Sequence, residues 1–205
     1  MSMKMNEVNF KKELLSFFEI QGTWAINFEF PYDYNKRRCD VLCVSRDETL
    51  AIEVKSDIDK ITNLKAQLDS YYKVFNSIYV ACGKEHLASI KSIKGRFGII
   101  FIDENGCRII RKAKYRKFLD VHSILDMLDK KVLERVSGMS GKNKNDTIDL
   151  VLNTFSKEQV HNIYYNALYE KVIPIYRLYL KEKGGEVVDD DITLLSLKTM
   201  ILPFN

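Results

Sequence analysis

The chain predicts an α/β fold: a mixed β-sheet core flanked by helices, with an all-helical C-terminal extension. Three observations predict it. Residues 10–82 read helix, three meandering strands, crossover helix, strand, the order of a mixed sheet. Asn105-Gly106 stands between two apolar runs, a strong hairpin signal. Beyond the polar segment 137–146 only helical periodicity remains.

The elements follow in order. Apolar residues at 10, 14, 17 and 18 predict a helix over Phe10–Ile20 that ends near Gly22. Trp24, Ile26, Phe28 and Phe30 alternate along a half-buried strand, with Glu29 on its polar face. Pro31–Asn35 is a turn, Lys36, Arg37 and Arg38 lead into a second strand over Cys39–Val44, and a loop at 45–49 returns the chain into a third over 50–55. Ile58, Ile61, Leu64, Leu68, Tyr72 and Phe75 predict one long amphipathic helix over Asp57–Asn76. Residues 78–82 form a strand, 84–93 a short helix, and Phe97–Asp103 with Cys107–Arg111 a hairpin. A helix at 121–136 precedes the polar, glycine-containing stretch 137–146, which divides the chain into a core of residues 1–136 and a helical unit of 147–205. Ser156 to Gln159 reads as a capping box opening a helix toward Gly184-Gly185, with Pro174 expected to kink or divide it.

The 205 residues allow one sizeable core. Net charge is +4, compatible with a polyanionic partner without requiring one. Cys39, Cys43, Cys82 and Cys107 form no CxxC pair and read as small buried hydrophobes of a reducing compartment. No signal-like core or bilayer-length apolar run is present, so the expectation is a cytoplasmic protein without membrane association. Walker A, dinucleotide-fingerprint and GxSxG motifs are absent, which argues against a nucleotide-driven motor or serine hydrolase. His86, His122 and His161 lack ligand spacing.

The chemistry concentrates in the strand Leu50–Lys55. Glu53 and Lys55 are two residues apart and share a face, in a run that is otherwise apolar. A buried charge in such a strand destabilises it by several kcal/mol unless paired or metal-bound. Asp40 lies on the preceding strand. A four-residue turn, either 45–48 or 46–49, would set it opposite Glu53 or Lys55, while Val41, Cys43, Ile52 and Val54 form the core face. Two close carboxylates repel unless a cation sits between them, and oxygen ligands suit Mg2+ or Mn2+.

Asp40, Glu53 and Lys55, followed by Gln67 and Tyr71 on the next helix, resemble the PD-(D/E)XK nuclease superfamily and its RecB-like branch. The resemblance covers residues 8–115 and extends to small stand-alone bacterial and phage members of undefined role. Cys39 stands where many members have proline. The resemblance implies a restriction-endonuclease-like fold and a metal-dependent phosphodiesterase acting on DNA more readily than RNA, in a defence, mobile-element or repair setting. It implies that Asp40, Glu53 and the Val54 carbonyl hold the metal, that Lys55 and Gln67 serve catalysis, and that Tyr71 reaches the substrate. Relatives often add an acid from the first helix or strand; Glu13, Glu19 and Glu29 are open choices, with Glu29 favoured.

Two basic runs are candidate phosphate binders, Lys36–Arg38 and Arg111–Lys117, the latter offering Lys114, Arg116 and Tyr115 for stacking. Tyr164, Leu168, Val172, Ile175, Leu178 and Tyr179 form a stripe that packs back on the core or pairs with a second copy, a homodimer contact being favoured; a protein partner is the other expectation. Asp189–Asp191 reads as a helix cap rather than a metal cluster. The alternative to an enzyme is a binding module that keeps the fold and cuts weakly or only with a partner.

Overall fold

The computed structural model describes residues 5–33 and 36–197. α1 (Glu7–Glu19) is opened by a reciprocal cap in which Asn6 and Asn9 each accept the other's backbone N–H. β1 (Ala25–Tyr32), β2 (Arg37–Val44) and β3 (Thr49–Lys55) form an antiparallel meander. α2 (Leu64–Val74) crosses to β4 (Ser77–Cys82), and α3 (Lys84–Ser92) crosses to β5 (Gly98–Asp103); both new strands run parallel to β3. β6 (Gly106–Arg111) closes the sheet antiparallel to β5, with Gly106 at φ +95° supplying the left-handed turn. The strand order is β1-β2-β3-β4-β5-β6.

The expected mixed sheet flanked by helices is therefore present, and its register answers the open question of the hairpin. Val44 pairs with Thr49, and the Ser45 N–H donates to Glu48 O at 3.0 Å, so the turn is 45–48. Asp40 then faces Glu53. Every residue of β3 is buried, because it lies inside the sheet between β2 and β4 with α1 packed against it. The anticipated division of β3 into a core face and an open chemical face is corrected accordingly: Glu53 is 1% and Lys55 8% exposed.

The predicted helix 57–76 begins only at Leu64. The Asp59 carboxylate accepts both the Ser56 N–H and its hydroxyl, at 2.8 and 2.7 Å, and this local turn competes with helix. Ile58, expected in the buried stripe, is 69% exposed. The predicted helix 121–136 is two, α4 (Val121–Asp126) and α5 (Lys130–Ser137), separated at 127–129, where Asp129 takes an extended conformation and its carboxylate pairs with Lys171.

α5 ends at Gly138 in the left-handed conformation, and α6 (Lys144–Thr154) follows after the short connection 138–143, capped by Asn143. The stretch 137–146 is thus a tight helix-to-helix turn, and the core is continuous from Phe10 to Leu195. α7 (Lys157–Glu182) carries the expected Ser156/Gln159 capping box and is not divided at Pro174. Its apolar stripe packs on β1 and β2 of the same chain. The Tyr164 hydroxyl donates to Val74 O at 2.7 Å, and Asn76 donates to the Tyr165 hydroxyl at 2.9 Å. The surface offered for a dimer is largely used internally.

His161 bridges Leu119 N–H and Lys157 O, a structural role. In α8 (Asp189–Leu195), Asp191 accepts the Val188 N–H, so the acidic run acts as a cap. Among the described residues no helix is long and apolar enough to cross a membrane.

Candidate functional site

The register places three carboxylates in one row. In the β1–β2 ladder Glu29 faces Asp40, at the one position left unpaired between Phe28–Val41 and Phe30–Cys39. The β2–β3 ladder stops at Val41–Ile52, so the next position, Asp40 opposite Glu53, is also open. Two local features accompany this opening. Glu29 has φ +52°, a left-handed conformation unusual for a residue with a side chain, and the Asp40 carboxylate replaces the missing ladder bond by accepting the Val54 N–H at 2.7 Å. Gaps in a ladder beside ionisable groups are where strained backbone is commonly kept for use.

Glu53 is the buried end of the row. Its Oε1 accepts from Lys55 Nζ at 2.7 Å and closely from Gln67 Nε2, and its Oε2 accepts from the Tyr71 hydroxyl at 2.8 Å. Gln67 and Tyr71 reach it together because they are i, i+4 neighbours on α2. Tyr71 is wholly buried, its ring edge-on to Tyr32 and Phe75. The substrate-contacting role expected of it is corrected to that of a strut for Glu53. The remaining amide oxygen of Gln67 is buried without a hydrogen-bond partner among the described residues, a free acceptor next to the carboxylates.

On the other side of Asp40 stand two residues that sequence reasoning missed. Glu7, Glu29 and Asp40 each offer an oxygen within 4.8 Å of the others. Lys11, itself buried, lies between two of them, its Nζ 2.6 Å from Glu7 Oε1 and 2.6 Å from Glu29 Oε1. The available signal was the Glu7/Lys11 pair at i, i+4 behind an Asn6 cap; starting the helix at Phe10 hid it. Of the three acids held open from sequence, Glu29 joins the row. Glu19 instead accepts from Tyr179 and pairs with Lys183, and Glu13 lies by Gly106.

The electrostatics follow from the crowding. Burial, with the neighbouring Glu53 charge, pushes the Asp40 carboxyl well above the ordinary carboxylate range, against the lowering effect of the Val54 N–H. Burial pulls on the Lys11 ammonium, but its bonds to Glu29 and Glu7 outweigh that and raise it. Burial raises Cys39 and Tyr71 well above their usual values, which keeps both neutral. An all-oxygen donor set that already harbours a lysine cation between two carboxylates fits a hard divalent ion.

The two basic runs part company. Lys36–Arg38 lies at the end of the sheet where β3 finishes, a few residues from Asp40, with Arg37 paired to Asp33 at 3.3 Å and Arg38 reaching Glu29 O. Lys114, Tyr115 and Arg116 are not brought to the site. Lys114 N–H donates to Arg96 O and Arg116 N–H to Asn76 O, which pins this segment under the starts of β4 and β5, at the opposite end of the strands. Four register steps along β3, about 13 Å, separate that end from Glu53.

Comparison with known proteins gives one family. The model of bacteriophage P4 protein cII matches residues 1–196. No curated protein matches the chain. Among solved structures, a protein of unknown function from Silicibacter pomeroyi is similar, at 18% identity over 56% of this chain and 77% of that one, with a TM-score of 0.46.

Proposed function

The chain belongs to the bacteriophage P4 protein cII family, and from that premise we propose that it is a Mg2+- or Mn2+-dependent nuclease of restriction-endonuclease-like design that hydrolyses DNA phosphodiester bonds. One observation carries the reading: the in-register row Glu29–Asp40–Glu53 across three strands, with Lys55 bonded to the last carboxylate inside the protein. A row of like charges with one end buried and the rest half-buried is a liability for folding alone, and it is explained by a cation that needs them. Defence, mobile-element or repair work suits a family named for a bacteriophage protein.

In this reading Glu7, Glu29 and Asp40, whose oxygens lie within 4.8 Å of one another, would hold the ion, with Glu53 and the Val54 carbonyl, the ligands the resemblance implies, beside them. The ion supplies Lewis acidity toward a phosphate and a lowered pKa for bound water. The chain's own residues do the rest. Gln67 and Tyr71 fix the Glu53 carboxylate in one rotamer. Lys55, held 2.7 Å from Glu53, keeps a positive charge beside the position where negative charge develops on a phosphoryl group. Arg37 and Arg38, exposed at the same end, bind the flanking backbone phosphates.

The second reading is a binding module for nucleic acid or a protein partner, with cleavage weak or partner-dependent. The near-complete burial of Glu53 and Lys55 favours it, since a phosphate must be admitted before chemistry can begin. Incubation with Mg2+ or Mn2+ and circular single-stranded or supercoiled DNA separates the readings. EDTA-sensitive cutting that Lys55→Ala abolishes supports the nuclease. Metal binding without cutting supports the partner-dependent module, and no metal binding removes the active-site reading altogether.

A further inference from the structure

The second basic run, rejected by the candidate site, has a setting of its own. Lys94, Arg96, Lys112, Lys114, Arg116 and Lys117 gather where the segment after β6 runs beneath β5 and β4. Lys114 N–H donates to Arg96 O at 2.8 Å, and an Arg96 guanidinium N–H donates to Tyr115 O at 3.4 Å, so the two stretches are stitched together. Arg116 lies over the Tyr72 ring, 5.4 Å from its centroid. Among the described residues none of the six forms an ion pair, whereas Arg37 at the other end does. Asp47 and Glu48 of the β2–β3 turn act on Tyr115 electrostatically but pair with none of the six.

Two aromatic rings stand among these cations in the open. Tyr115 is 47% and Phe118 66% exposed. The Tyr115 hydroxyl is tied to Tyr165, and Phe118 is edge-on to His161, so both rings are held in place. Orienting large aromatic side chains toward water has no benefit for the core; interleaved with unpaired cations on a segment outside helix and strand, it matches the way proteins track a single strand, by phosphate contacts plus base stacking.

We propose that this end of the sheet is a second nucleic-acid surface, one that binds single-stranded nucleic acid without cutting it and stands apart from the carboxylate row. The surface does not depend on the nuclease reading, because it uses none of the same residues.

The test is fluorescence anisotropy of a labelled oligo-thymidine strand titrated in EDTA across a salt series, with thermal melts to check each variant's folding. Lys112→Ala/Lys114→Ala/Lys117→Ala is expected to reduce the salt slope by roughly two, about 0.7 for each lost phosphate contact. Tyr115→Ala and Phe118→Ala are each expected to weaken binding about tenfold with the slope unchanged. Lys142→Ala, an exposed cation between α5 and α6 that belongs to neither surface, leaves binding near wild type. An unchanged slope in the triple lysine variant, aromatic variants that bind like wild type, or tighter binding of a matched duplex each overturns the proposal.

Discussion

The two ends of the sheet handle charge in opposite ways. Where β3 finishes, Glu29, Asp40 and Glu53 are acidic and largely withdrawn from water, and each is held by a specific donor: Lys11, the Val54 N–H, and Lys55 with Gln67 and Tyr71. Where β4 and β5 begin, Lys94, Arg96, Lys112, Lys114 and Lys117 are exposed, with water as their solvent. A buried ion must be satisfied by named partners in fixed positions, whereas a solvated one needs none. The first end is therefore rigidly specified and intolerant of change, and the second is free to vary in stability terms while setting what the protein attracts.

The contrast can be broken most sharply at Glu53. Glu53→Ala strands the Lys55 ammonium and two further polar groups inside the protein, and a loss of about 3–5 kcal/mol is expected in urea unfolding. A loss under 1 kcal/mol would mean that water reaches the site and the burial argument is wrong. Tyr71→Phe removes one hydrogen bond to a charged acceptor and keeps the ring packing. It should lower stability by about 1.5–3 kcal/mol, read from the denaturant midpoint at unchanged slope.

Asp40→Asn should act in the other direction. Its carboxyl is raised above the ordinary 3.8 in the folded chain, so the unfolded chain ionises first as pH rises. Stability is lost across the window between that ordinary value and the raised one, and the penalty is complete above it. The Asn variant should therefore melt higher than wild type at neutral pH without divalent ions, with the gain fading below pH 4. Added Mn2+ should raise the melting temperature of wild type and not of the variant. At the far end, Lys114→Ala should move stability by less than about 0.5 kcal/mol, which a parallel melt checks.

Much of the core was legible because local physics fixes it. The Asn105-Gly106 turn and the Ser156/Gln159 capping box depend on near neighbours, and both are present, whereas the alternation expected of the first strand gives way to a run buried from Ala25 to Phe28. Asp40 and Glu53 could be paired once a four-residue turn was assumed, since antiparallel register follows from turn length. The helix at 57–63 failed because Asp59 captures Ser56, a side-chain competition that apolar periodicity does not register. The segment 137–146 looked like a domain linker because glycine and polar residues serve tight helix turns equally well.

The sequence by itself determined which charges sit in an apolar strand, how far apart they fall, and which helix face carries Gln67 and Tyr71, because covalent spacing and backbone period are local quantities. Tertiary structure alone decided that Glu7 and Lys11 join Glu29 beside Asp40, and that Lys114–Arg116 lie at the other end. Those placements depend on how α1 and the chain after β6 pack against the sheet. Contacts between residues far apart in sequence are chosen by the fit of whole surfaces, which no local pattern encodes.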